Sequence, residues 1–124
     1  MSATFTPAQA NRTLPLVKRI VRDILAKARE YRARTGKGGP EIEARRRLLE
    51  REVDGHIAEL RRIGCEYKDW SFDMGLVDFP GRIDGKDVLL CWRSDEEAVT
   101  WYHLPEAGFA GRQPIPPELL RREA

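Results

Sequence analysis

The sequence predicts an α+β protein in which a long antiparallel helical hairpin packs on a small antiparallel sheet of three to four strands. Three observations carry this. Apolar residues recur at helical spacing over two stretches of the first half, a glycine- and proline-rich break separates them, and the second half holds two strand-like runs joined by Asp84-Gly85. The hairpin should occupy residues 7–63, the sheet 65–104, and a loop and weakly specified tail 105–124, within a single domain. A chain of 124 residues can bury a modest core without disulfide or metal staples.

The first helix should start at Thr6, whose hydroxyl can cap, with Pro7 at the first helical position and Gln9 completing a Thr-x-x-Gln capping box. Pro15 lacks an amide hydrogen and crowds the preceding turn, so a kink or restart is expected near Thr13-Leu14. Beyond it Leu14, Val17, Val21, Ile24, Ala28 and Tyr31 form a core stripe flanked by Leu16, Ile20 and Leu25. Thr35 to Pro40 breaks the helix with three glycines and a proline. Its Gly36-Lys37-Gly38 lacks the spacing and preceding strand of a phosphate loop. A second helix follows from Glu41 to Ile63, with Ile42, Leu49, Val53, Leu60 and Ile63 on one stripe and His56 on the seam, where packing is expected rather than ligation. Gly64 is the stop signal.

Cys65 to Trp70 reads as a short strand. Asp84-Gly85 has the composition of a two-residue hairpin loop and sets the register on either side, from Ile83 opposite Lys86 to Val77 opposite Trp92. That register sorts side chains by face. Val77, Phe79, Ile83, Val88, Leu90 and Trp92 share an apolar face for the helices, while Asp78, Arg82, Asp87, Leu89, Cys91 and Arg93 share the other. Pro80 cannot donate to a ladder, which predicts an edge strand or a bulge at Pro80-Gly81. If Ser94 to Glu97 form a four-residue loop, Val99, Trp101 and His103 join the apolar face; an odd loop swaps them. Pro114 to Pro117 should be extended.

The net charge of +2 conceals an asymmetry: residues 1–39 carry nine Lys and Arg against two Asp and Glu, residues 65–124 seven against twelve. Such separation suits an anionic partner, head-to-tail association, or complementary packing within one molecule. On the first helix Lys18, Arg22 and Arg29 form a candidate anion surface, but no nucleic-acid motif accompanies them. No run is long and apolar enough for a membrane span, the N-terminus lacks signal-peptide features, and a cytoplasmic protein is expected. Two cysteines, Cys65 and Cys91, and two histidines at no ligand spacing predict buried thiols, no metal and no cofactor.

Phe5-Thr6-Pro7, Ala10-Asn11, Leu14-Pro15, Gly75-Leu-Val-Asp-Phe-Pro80, Asp84-Gly85, Leu90-Cys-Trp92, Trp101 with His103, and Gly108-Phe-Ala-Gly-Arg112 together make a recognisable pattern. On these residues the chain resembles the domain of unknown function 2203 family, small uncharacterised prokaryotic proteins. Tyr102 separates Trp101 from His103 where that pattern sets Trp and His side by side. The resemblance supports the architecture and carries no catalytic roles.

No motif names a reaction. The leading expectation is therefore a non-enzymatic module that self-associates as a homodimer through its apolar helical stripes. A second is a small-molecule or enzyme site at the sheet, built from Asp78, Cys91, Arg93, His103 and Arg112 with Trp92 and Trp101 as walls, where the arginines could hold an anion. Nucleic-acid binding by the basic first helix is the third.

Overall fold

The computed structural model describes residues 4–34, 36 and 38–121. Expectations for Thr35, Lys37 and the tail beyond Arg121 lie outside the described residues. Two helices, α1 (Pro7–Ala33) and α2 (Pro40–Ile63), are followed by a five-stranded antiparallel sheet, β1 (Glu66–Tyr67), β2 (Leu76–Ile83), β3 (Lys86–Arg93), β4 (Trp101–His103) and β5 (Gln113–Pro114). The strands lie in sequence order, and a short helix α3 (Pro117–Arg121) ends the described chain. The sheet thus has one strand more than the widest expectation, because Gln113-Pro114 pairs with β4.

The capping box forms: the Gln9 amide donates to the Thr6 hydroxyl at 3.1 Å and the Thr6 amide to the Gln9 side chain at 2.9 Å. The expected restart at Pro15 does not occur; α1 runs unbroken through it. The turn before Pro15 has supplementary bonds, from the Thr13 hydroxyl to the Gln9 carbonyl (2.9 Å) and from the Asn11 side-chain amide to the Pro7 carbonyl (3.0 Å). On either side Leu14 and Val17 are buried against the core, which keeps the helix continuous across the missing hydrogen bond. α2 ends at Gly64, whose left-handed φ of 105° suits a residue without Cβ.

β2 and β3 pair in the register set by Asp84-Gly85, from Ile83–Lys86 to Val77–Trp92 and one pair further. Both turn residues have positive φ, 52° and 78°, as a type I′ turn demands. Val77, Phe79, Val88, Leu90 and Trp92 are buried in one cluster with Leu14, Val17, Val21 and Ile24 of α1 and Ile57 and Leu60 of α2. At Gly75 the Val21 side chain occupies the space a Cβ would need, so α1 lies directly on the entry to β2. Pro80 produces no bulge: its pairing with Leu89 is continuous with its neighbours. β1 covers only the start of β2, and past its end the Phe5 amide donates to the Pro80 carbonyl at 2.7 Å. A strand residue's N–H and C=O point the same way, so the missing proline donor falls on this outer side and costs the β2–β3 ladder nothing.

The β3–β4 connection departs from the four-residue loop. β4 begins only at Trp101, after an odd number of residues (94–100), and sets Cys91 opposite Trp101 and Leu89 opposite His103. Val99 is in the core as expected, but Trp101 and His103 lie on the other face and Tyr102 on the core side. Alternation does not carry through Thr100 because Val99's backbone is held by a side chain instead of by β3. The Asn11 carboxamide accepts from the Val99 amide at 2.7 Å and donates to its carbonyl at 3.0 Å.

Asn11→Ala should therefore leave a buried backbone N–H without a partner and lower the urea-unfolding free energy by about 2 kcal/mol. Thr13→Ala, which removes an exposed back-bond on the same turn, should stay within about 0.5 kcal/mol of the parent.

Candidate functional site

The second face of the sheet is solvated only toward the turn, where Arg82 and Asp87 pair at 3.0 Å. Asp78 (3% exposed), Cys91 (2%) and His103 (4%) are all sealed within it. Register explains the meeting: Asp78 and Cys91 are cross-strand partners, and His103 stands on β4 one step diagonal to Cys91. A small side chain at position 91 lets the imidazole reach across β3, and His103 Nε2 lies 3.3 and 3.2 Å from the two Asp78 carboxylate oxygens. His103 Nδ1 is 2.8 Å from the Leu104 carbonyl, which only a protonated nitrogen can satisfy. The Nδ1 proton is thereby assigned, and Nε2 faces the carboxylate. One donor atom from each of the three residues falls within 4.8 Å of the others.

Burial pushes the Asp78 carboxyl up, while His103, Lys68 and a hydrogen bond from Cys91 pull it partly back. The Cys91 thiol is pushed up to about 12, chiefly by burial and then by the Asp78 charge.

The arginines and one tryptophan of the sequence-predicted set have other partners. Trp92 points to the opposite face, buried in the core, and its indole donates to the Glu96 carbonyl at 2.8 Å; it is no wall of this site. Arg93 grips Asp95 at 2.6 and 3.0 Å. Arg112 donates to Glu96 at 2.7 Å and more weakly to the Cys91 carbonyl at 3.4 Å, with its guanidinium 5.0 Å from the Trp101 ring centroid and 4.6 Å from that of Phe109. Trp101 and Arg112 therefore belong beside the trio, but both arginines are already paired with carboxylates. Glu96, which also accepts from the Arg93 amide at 2.8 Å, was not singled out from sequence. Within the acidic run Asp95-Glu96-Glu97 nothing local distinguishes it.

The basic stripe of α1 faces acidic residues of the same chain. Lys18, Arg22 and Arg29 line a hollow of about 540 Å³ whose other wall is Trp92 with Ser94, Asp95, Glu96 and Glu97. Lys18 Nζ donates to the Glu97 carbonyl at 2.8 Å. Along the hairpin seam Lys27 donates to His56 Nε2 at 2.8 Å, and His56 Nδ1 bonds Glu59 at 2.9 Å, so this histidine joins the helices.

A second hollow, of about 440 Å³, lies toward the far end of the hairpin. Ala28, Tyr31, Leu49, Val53 and Phe72 line it, Arg32 stands on its rim with Glu50 and Asp54, and Trp70 borders it. Trp70 is 56% exposed although it packs edge-on to Tyr67 and Phe72 at 5.7 and 6.0 Å.

Fold and site together define a small α+β protein with a helical hairpin over one sheet face and a buried carboxylate, thiol and imidazole on the other. The model of the uncharacterized conserved proteins DUF2203 matches residues 3–115, and the chain belongs to that family. No curated protein and no solved structure matches it. Among the described residues no helix is long and apolar enough to cross a membrane.

The raised thiols give a signed expectation. For Cys65 and Cys91 the folded value, about 12, lies above the ordinary 9.0, so the stabilisation from keeping them neutral is complete below pH 9 and is lost as pH climbs toward 12. Iodoacetamide at about pH 8 should label neither cysteine in the native chain and both in urea, as read by mass spectrometry. Native labelling of Cys91 would mean the trio opens to solvent.

Proposed function

We propose that the protein is a non-enzymatic interaction module of the cytoplasm that self-associates as a dimer through the far end of its helical hairpin. The observation that carries this reading is the apolar hollow at that end with Trp70 projecting beside it. Two such hollows facing each other across a two-fold axis bury the exposed Trp70 of each copy against the other. The lining carries both signs of charge, with Arg32, which also pairs with Asp73 at 3.2 Å, beside Glu50 and Asp54. The exposed Leu48 of α2 extends the apolar margin. Two unpaired cysteines suit a reducing compartment.

Catalysis is a poorer reading because the acid–base groups of the sheet are sealed and its arginines are paired. Nucleic-acid binding is poorer still, because the basic stripe stands opposite an acidic loop of the same chain.

Sedimentation velocity over a concentration series should show a monomer–dimer equilibrium, accompanied by a blue shift of tryptophan emission as Trp70 is buried. Trp70→Ser should raise the dissociation constant by about 30-fold or more, the cost of losing an aromatic anchor of about 2 kcal/mol. A strict monomer at every concentration overturns the reading.

A further inference from the structure

The trio on the second sheet face brings a carboxylate, a thiol and an imidazole together in a sealed setting. His103 commits its Nδ1 proton to the Leu104 carbonyl, which turns Nε2 toward the two oxygens of Asp78, 3.3 and 3.2 Å away. At that separation either a proton or a metal ion can join the nitrogen to the carboxylate. The Cys91 sulfur completes the cluster from the middle strand. Arg112 directs its Nη2 to Glu96 and the Cys91 carbonyl.

We propose that Asp78, Cys91 and His103 form a binding site for one borderline-soft divalent cation of the zinc type, held by a carboxylate oxygen, a thiolate and the imidazole Nε2. Four features support it. The donor set is one that zinc takes and that magnesium or calcium, with their preference for all-oxygen shells, does not. The Leu104 carbonyl orients the imidazole from behind, the outer-shell arrangement that ligating histidines usually have. A divalent cation with one carboxylate, one thiolate and one neutral imidazole leaves a centre of no net charge, suited to positions that are 2–4% exposed. Finally, the spacing is within reach. Donor atoms that lie within 4.8 Å of one another need to draw in by at most about 1.3 Å to reach the edges of a tetrahedron with zinc-like bond lengths. Three protein donors leave one position for a small fourth ligand. The sites in sequence, 78, 91 and 103, have none of the close spacing by which zinc motifs are recognised, because the sheet register and not a local loop assembles them.

The rival occupant of the gap is a proton, which would make the trio a hydrogen-bonded strut. Cobalt(II) and zinc(II) distinguish the two. The full chain, refolded with either ion so that access through the closed face is not limiting, should retain one equivalent per chain after desalting. The cobalt form should show sulfur-to-cobalt charge transfer in the near ultraviolet together with tetrahedral ligand-field bands. Cys65→Ser leaves Cys91 as the sole thiol and should keep the charge-transfer band; Cys91→Ser should abolish it. Asp78→Asn should weaken retention at least about tenfold, the lower end of what loss of even an outer-shell partner costs. Zinc should also raise the unfolding midpoint of the parent chain, and a chelator should reverse the rise. Absence of stoichiometric uptake by the parent, or loss of the cobalt–sulfur band in a folded Cys65→Ser chain, overturns the proposal. Because Cys65→Ser alone assigns the sulfur, the test stands even if Cys91→Ser does not fold.

Discussion

The two-residue turn at Asp84-Gly85 is the constraint on which the remainder depends. Both residues sit at positive φ, a conformation whose twist matches that of paired strands, so the turn dictates which residue of β2 faces which residue of β3. Once that is set, Val77, Phe79, Val88, Leu90 and Trp92 must share one side and Asp78 and Cys91 the other. A shift of one residue would carry the acid into the helical interface and the tryptophan out of it. The core and the polar trio are thus two outcomes of a single local geometry.

This accounts for what could be read in advance. The β2–β3 register followed from a short-range signal, as did the Thr6 cap and the Gly64 stop, each decided within a few residues. The side on which Trp101 and His103 fall did not. It depends on Asn11, whose carboxamide takes the place of a neighbouring strand for Val99, and no local pattern reveals that a helix residue will act as a strand partner. The unbroken passage of α1 through Pro15 has a similar origin, since tertiary burial of Leu14 and Val17 outweighs the local preference to stop. Of the candidate site residues, Asp78 and Cys91 were placed together by register alone; His103 joined them through the β4 geometry that the sequence left open. Trp92 was assigned to a wall although its own register placed it in the core.

The separation of charge along the chain is resolved largely within the molecule. The basic face of α1 meets the acidic β3–β4 connection across one hollow, and Glu96 in that connection serves both Arg112 and the Arg93 backbone. The bond from Lys18 to the Glu97 carbonyl is exposed and contributes little by itself, but it brings the loop carrying Val99 to the helix that carries Asn11. Electrostatics here assists placement more than stability.

The bond between Asn11 and Val99 spans 88 positions of the chain. During synthesis the helical hairpin emerges first, with an apolar face whose cover has yet to be made. Its first helix receives this tie only after residue 99 has been added, when most of the sheet already exists. Completion of the core therefore waits on residues late in the chain, and until they are made the apolar face of the hairpin lacks its cover.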